Sequence, residues 1–155
     1  MSRQAQHQPR AVIFGLSGPL LTAPERALFI EANPLGFILF ARNCIDPAQV
    51  RALVADLRST VGRADAPVLI DQEGGRVARL RPPYWRKAPA AARFAELART
   101  SEARAKQAAW LNARMLAGDL AELGLTVNCA PVLDVPQPEA HEIIGDRAVG
   151  DTAER

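Results

Sequence analysis

The chain has 155 residues, enough for one ordinary domain with a buried core, and 48% of them are hydrophobic. Its formal net charge at pH 7 is only +2, so we expect no strong field for nucleic acid. Nothing approaches the roughly 18–20 consecutive apolar residues of a membrane span, which argues against a membrane partner.

The first strand and helix follow a polar N-terminal tail, residues 1–10. The β-branched and aromatic run 12–14 predicts a buried strand that ends in a glycine-rich loop. Thr22 and Glu25 then have the spacing of a capping box, and the proline of the pair 33–34 forbids continuation of the helix.

The second strand and helix have the clearest signals. Residues 36–40 are continuously apolar, which is typical of a parallel strand covered on both faces. Asp46 can cap the next helix, Pro47 suits its first turn, and Gly62 follows it. The helical spacing is carried by Val50, Leu53, Val54, Leu57 and Val61.

Residues 67–71 predict a third strand, and a long loop leads to a helix over 101–123 that Gly124 closes. Residues 125–130 predict a fourth strand. About four βα units with buried strands favour an α/β fold with a parallel sheet. Eight strands and about 250 residues are normal for a (β/α)8 barrel, so the pattern fits half a barrel or a smaller open sheet.

Polar residues concentrate where the predicted strands end. Arg42 and Asn43 follow the second strand, the segment 71–79 follows the third, and Asp134 follows the fourth. In parallel α/β folds, loops at the carboxyl ends of strands meet the ligand.

The segment 71–79 places a carboxylate, two glycines and two arginines close together. Acceptors and forked donors suit the hydroxyls of a neutral polyol, although a tight turn with surface salt bridges is the alternative. No phosphate-loop pattern is present. We expect Asp71 and Glu73 to point to opposite sides of the chain, and therefore not to act together on one bond.

Four motifs occur in order along the chain: 36–43 (GFILFARN), 69–77 (LIDQEGGRV), 130–135 (APVLDV) and 144–148 (IGDRA). They resemble those of bacterial β-N-acetylglucosaminidases of glycoside hydrolase family 3, and the resemblance runs from about residue 12 to the last residue. It implies a (β/α)8-type fold, of which residues 11–155 would be the N-terminal half. It also implies removal of terminal β-linked N-acetylglucosamine from muropeptides, with retention of configuration, in cytoplasmic recycling of cell-wall peptidoglycan.

By the same resemblance, Asp71, Arg79 and Arg147 hold hydroxyls of the N-acetylglucosamine. Glu73 and Arg76 support the loop, and Asp134 is structural, bonding to strand-end backbone. No cofactor and no metal are implied, and the two cysteines, far apart and without partners at ligand spacing, are expected to be reduced cytosolic thiols.

The chain departs from the family's pattern in its catalytic residues. Relatives continue into a second half-barrel with a Lys-His pair, a histidine acid/base on a mobile loop and an aspartate nucleophile. The two histidines here are His7, in the polar tail, and His141, in a proline-rich loop that lacks glycine-rich surroundings. No catalytic residue is therefore predicted, and the chain alone is expected to be inactive because retaining hydrolysis needs two groups flanking the bond.

Alternative interpretations remain open at this point. The chain could be a non-catalytic sugar-binding or scaffold half-barrel, or part of another family 3 hydrolase such as a β-glucosidase, since architecture alone does not fix a substrate. A half-barrel would expose its inner sheet face and its edges. Its partner would then be the second half-barrel or another copy of the chain.

Overall fold

The computed structural model describes residues 8–136, 142–150 and 152. The two histidines, His7 and His141, lie outside the described residues, as does most of the polar tail. The strands are β1 (Arg10–Phe14), β2 (Pro34–Leu39), β3 (Val68–Ile70) and β4 (Val127–Asn128). The helices are α1 (Ala23–Ala32), α2 (Pro47–Thr60), α3 (Ala92–Ala98) and α4 (Glu102–Ala121), with 3₁₀ turns at Ala41–Asn43 and Gly145–Arg147.

The four strands form one parallel sheet in the order β1-β2-β3-β4. Each strand pairs with its predecessor in the chain, and each connection carries at least one helix. This arrangement confirms the predicted α/β fold with successive βα units. All carboxyl ends of the strands therefore lie at one edge of the sheet, which brings the polar loops predicted from the sequence together.

Side chains at the predicted positions begin the first two helices. The Thr22 hydroxyl and the Glu25 carboxylate form the capping box, and Glu25 also accepts a hydrogen bond from the Ser17 N–H at 2.7 Å. Burial raises the pKa of Glu25, but the bonds from Thr22 and Ser17 outweigh it and bring the pKa to about 2. Asp46 caps α2 through the Gln49 N–H at 2.9 Å.

The core lies between the sheet and the helices that cover one of its faces. Phe37 and Leu39 of β2 and Val68 and Ile70 of β3 are completely buried. They are part of a core completed by Phe29 of α1, by Val50, Leu53, Val54 and Leu57 of α2, and by Leu120 of α4.

The opposite sheet face is only partly covered, as expected for a half-barrel. Ile38 and Leu69 pair across β2 and β3 on that face and are only half-buried, and Val127 next to them on β4 is 39% exposed. The apolar run 36–40 is therefore not covered equally on both faces. Successive side chains of a strand alternate between faces, and only the helix-facing set is enclosed in the described residues.

Three details differ from the prediction. The long loop after the third strand contains α3, whose residues Ala92–Ala98 lack both an N-cap side-chain bond and a buried residue. The fourth strand is only Val127–Asn128, because the ladder to β3 ends there. Arg10, assigned to the tail, pairs with Pro34 at the start of β1. Among the described residues, none of the helices has the length and hydropathy to cross a bilayer.

Candidate functional site

Asp71 and Arg79 form an ion pair at the carboxyl end of β3. Arg79 Nη2 donates to Asp71 Oδ2 at 2.7 Å, and each side chain is about one-fifth exposed, at 23% and 22%. The Arg79 guanidinium also lies 5.8 Å from the centre of the Phe40 ring, at the end of β2. The carboxylate and guanidinium predicted to bind a polyol are thus adjacent and accessible, but already bonded to each other.

A buried glutamine brings these two residues together although they are eight positions apart. Gln72 is 2% exposed, and its Oε1 accepts from the N–H groups of Arg79 at 2.8 Å and Leu80 at 3.0 Å. Asn128 on β4 exchanges two hydrogen bonds of 2.9 Å with the Gln72 backbone. Sequence reasoning missed both Gln72 and Asn128.

The loop needs glycine at the turn that follows Glu73. Gly74 has φ +103°, and a Cβ there would lie 2.2 Å from the Pro89 carbonyl oxygen. Gly75 has φ +57°, and its Cβ would lie 2.6 Å from the Ala90 Cβ. The segment around 88–90 therefore packs directly on the glycine pair, which fixes the turn.

Arg147 is held by Glu73 from the neighbouring loop. Its Nε and Nη2 donate to the two carboxylate oxygens of Glu73 at 2.9 and 2.8 Å, and Nη1 donates to the Ile143 carbonyl at 3.3 Å. Glu73 is nearly buried, at 10% side-chain exposure, and Arg147 is 24% exposed. The hydrogen bond to Glu73 is the main reason that the pKa of Arg147 is raised.

Asp71 and Glu73 lie on the same side of the chain, so the expectation that they point apart is wrong. Residues two apart in an extended segment share a side, and Gln72 between them points into the core. The Cys129 thiol is close to both carboxylates. Burial is the largest cause of its raised pKa, and the charge and hydrogen bond of Asp71 and the charge of Glu73 raise it further.

Arg76, like Glu73, contacts the 142–147 segment, which is compatible with the predicted supporting role. Its Nε donates to Asp146 at 2.8 Å, and its Nη2 contacts the carbonyl oxygens of residues 142–144. The Arg147 loop is therefore attached to the β3 loop by two separate guanidinium groups.

The polar residues after β2 divide between structural and exposed roles. Asn43 is fully buried; its Nδ2 donates to the Gly18 carbonyl at 2.7 Å and its Oδ1 accepts from the Phe40 N–H at 2.8 Å. Arg42 is exposed, donates from Nε to Leu16 O at 2.7 Å, and lies 4.8 Å from the Phe40 ring centre. Asn43 thus shapes the β1 loop, and Arg42 flanks the site.

Asp134 does not have the role predicted for it. It is exposed, and its carboxylate forms no hydrogen bond with a described residue. Its negative charge instead contributes to the raised pKa of Arg147. Asn128 performs the expected bonding to strand-end backbone, because the β3–β4 ladder brings it beside Gln72.

A groove of about 620 Å³ runs along β4 and one side of α4. Glu73 and Arg147 line part of it, together with mainly small or apolar residues of α4, and it does not include Asp71 or Arg79. Within 8–136, 142–150 and 152, no three His, Cys, Asp or Glu side chains are grouped so that they could hold a metal ion. We place the candidate site at the two ion pairs.

Known proteins resemble this chain along most of its length. The β-hexosaminidase of Methylococcus capsulatus is 39% identical over 142 residues, covering 92% of this chain and 40% of the relative. That of Pseudomonas aeruginosa PAO1 is 36% identical over 145 residues, covering 94% and 41%. The chain therefore spans about two-fifths of the length of these curated relatives.

Solved structures agree with the fold. NagZ from Neisseria gonorrhoeae in complex with N-trifluoroacetyl-D-glucosamine has a TM-score of 0.85 at 28% identity, covering 94% of this chain and 43% of that one. A family 3 β-N-acetylglucosaminidase from Paenibacillus sp. has a TM-score of 0.80 at 31% identity, covering 99% and 28%. These neighbours confirm the predicted fold, the N-terminal half of a (β/α)8-type barrel.

A family model agrees with both sets of relatives. The model described as the glycosyl hydrolase family 3 N-terminal domain matches residues 21–155. The chain therefore belongs to glycosyl hydrolase family 3.

Proposed function

We propose that this chain forms the part of a retaining β-N-acetylglucosaminidase that binds the terminal N-acetylglucosamine. The observation that carries the proposal is the meeting of two carboxylate–guanidinium pairs, Asp71–Arg79 and Glu73–Arg147, at one edge of the sheet. The named β-hexosaminidase relatives and the neighbour bound to an N-acetylglucosamine analogue support a hexosaminide substrate over a glucoside.

The geometry leaves each proposed contact with free hydrogen-bonding capacity. In contacts between described residues, Arg147 uses three of its five N–H groups and keeps one on each η nitrogen. Asp71 accepts from Arg79 with one oxygen, and its lone pairs can accept from sugar hydroxyls as well. Arg79 retains donors beside that carboxylate. A neutral sugar then meets alternating charge-assisted acceptors and donors, with a balanced local charge.

This chain does not supply the bond-breaking groups under the proposal. A retaining glycosidase needs a nucleophile and an acid/base flanking the bond. Glu73 is committed to Arg147, Asp71 to Arg79, and the only histidines are His7 and His141. We assign the cleavage groups to another part of a longer protein, of the length of the curated relatives.

The finer function follows the family resemblance. We infer that the longer protein removes N-acetylglucosamine from muropeptides during peptidoglycan recycling in the cytoplasm. The free thiols Cys44 and Cys129 agree with a reducing compartment.

Two measurements on the 155-residue chain test the proposal. Titration with N-acetylglucosamine, followed by NMR, should shift amide signals of 71–80 and 142–148 but not those of α2. An aryl β-N-acetylglucosaminide should not be hydrolysed above buffer. Binding of glucose as tight as that of N-acetylglucosamine would contradict the substrate, and turnover abolished by His141→Ala would contradict the missing catalytic groups.

A further inference from the structure

Arg76 makes more contacts with the 142–147 segment than an ion pair requires. Its Nη2 lies 2.9, 2.6 and 3.0 Å from the carbonyl oxygens of Glu142, Ile143 and Ile144, and its Nε donates to Asp146 at 2.8 Å. Three consecutive carbonyls therefore converge on one nitrogen. Such convergence requires the backbone to wrap around the guanidinium, so the shape of this segment depends on Arg76.

Gly145 permits this close approach. Its φ is +42°, and a Cβ there would lie 3.2 Å from Arg76 Nη2, tighter than an ordinary contact. The next turn, Gly145–Arg147, begins at the same glycine and ends with the arginine that Glu73 holds. The geometry around Arg76 is thus continuous with the placement of Arg147.

Two ion pairs, Glu73–Arg147 and Arg76–Asp146, connect the β3 loop to the 142–147 segment. The β3 loop contributes Glu73 and Arg76, and the later segment contributes Arg147 and Asp146, so each loop supplies one acid and one base. The Arg76–Asp146 pair is exposed, with 47% exposure on each side, and a pair of this kind contributes little by itself. The carbonyl contacts add to this pair, because Nη2 holds the carbonyls while Nε holds Asp146. Lysine has a single nitrogen and cannot occupy both positions at once.

We propose that Arg76 is a positioning residue for the sugar site: by gathering the carbonyls of 142–144, it holds Arg147 with one edge on Glu73 and the other toward the ligand. This inference rests on the proposed function for its ligand, but its structural part is independent of it. Arg76 acts through Arg147 and does not itself contact the sugar.

The test uses Arg76→Lys in the 155-residue chain, with Arg81→Lys as the matched control. Arg81 lies in the same loop, is exposed, and makes one backbone contact, from Nε to Ala78 O at 2.8 Å. Amide hydrogen exchange over 142–150 should accelerate about tenfold in Arg76→Lys and remain unchanged in Arg81→Lys. Exchange in α2 serves as the measure of global folding and should not change. Gly145→Ala, which crowds the same guanidinium, should act in the same direction.

Affinity for N-acetylglucosamine separates positioning from mere support. Arg76→Lys should weaken it about tenfold, whereas Asp146→Asn, which leaves the carbonyl contacts in place, should change it less than about threefold. In an Arg147→Ala background, Arg76→Lys should cost no further affinity, because its effect passes through Arg147.

The outcomes are distinct. Unchanged exchange over 142–150 in both Arg76→Lys and Gly145→Ala overturns the proposal, as does an equal loss of affinity with and without Arg147. If the unaltered chain binds no sugar, the proposed function fails. The NMR signal of the Arg147 Nε–H then decides the positioning: it should be protected by Glu73 in the unaltered chain and lose that protection in Arg76→Lys.

Discussion

Replacing Asp71 by asparagine removes a charge from the candidate site while keeping the shape of the side chain. In the unaltered chain, Asp71 Oδ2 accepts from Arg79 at 2.7 Å, and the carboxylate is 22% exposed. The amide can still offer one oxygen to Arg79, but its NH₂ group cannot accept a hydrogen bond from a sugar hydroxyl. We therefore expect the fold to survive and binding of N-acetylglucosamine to weaken.

The size of the effect follows from one charge-assisted hydrogen bond. Such a bond contributes roughly 1.5–3 kcal/mol, which corresponds to a loss of affinity of about 10- to 150-fold. N-acetylglucosamine has about 15 non-hydrogen atoms, and at roughly −0.3 kcal/mol per atom its Kd would be about 1 mM or somewhat tighter. The variant should then bind in the range of about 10 mM or weaker.

Weak affinities of this order are measured best by NMR titration. Asp56→Asn is the matched control, because Asp56 pairs with Arg26 between α1 and α2 at 2.6 Å and lies in no strand-end loop. The control should bind the sugar as the unaltered chain does. A dissociation constant for Asp71→Asn within about twofold of the control would remove Asp71 from the binding site and leave its pair with Arg79 as a structural contact.

Three further predictions concern stability and assembly. Phe29→Ala should lower the free energy of unfolding by about 3–5 kcal/mol in urea melts, since the Phe29 ring is 1% exposed and packs against two other phenylalanines. Leu28→Ala, at an exposed position, is the control and should lower it by less than about 1 kcal/mol. Burial raises the pKa of Cys44 from 9.0 to about 11, so between these pH values the folded state retains a proton that the unfolded state releases. The free energy of unfolding should therefore fall by about 1–2 kcal/mol between pH 9 and 11 in the unaltered chain, but not in Cys44→Ala. The isolated chain should self-associate through its less covered sheet face near Val127, as measured by analytical ultracentrifugation. Sedimentation as a monomer at every protein concentration would contradict this expectation.

Local signals predicted the regular elements well. The capping side chains of α1 and α2 act over three or four residues, so their spacing is visible in the sequence itself. Glycine closed the longest helix as expected, at Gly124 with φ +77°. By contrast, α3 has no cap bond and no buried residue, and its sequence offered no signal that could separate it from a loop.

The sequence named the charged residues of the candidate site but not the residues that hold them in place. Asp71 and Arg147 stood out because they lie in two of the quoted motifs, and Arg79 because it follows the motif 69–77 by two positions. Their contacts with a sugar stay predictions. Gln72 and Asn128 connect segments that are 56 residues apart, and nothing in their local sequence reveals that pairing. Gln72 directly follows the predicted third strand and Asn128 lies within the predicted fourth. Their polarity at these positions was the available signal, because a buried polar side chain needs partners.

The parallel sheet explains why separate motifs act as one site. The β3 loop and the 142–148 segment are about 70 positions apart, and the ends of β3 and β4 lie at the same edge. Each motif alone would be a flexible set of charges, since an exposed ion pair contributes little. Once Gln72 fixes the first loop and Arg76 shapes the second, the side chains of Glu73 and Arg147 meet with little exposure to solvent, at 10% and 24%. Gln72 positions the loop that carries Asp71, Glu73 and Arg79, so a substitution there should impair both the Asp71–Arg79 and the Glu73–Arg147 pairs. A substitution at Arg76 should impair only Glu73–Arg147 of these two pairs.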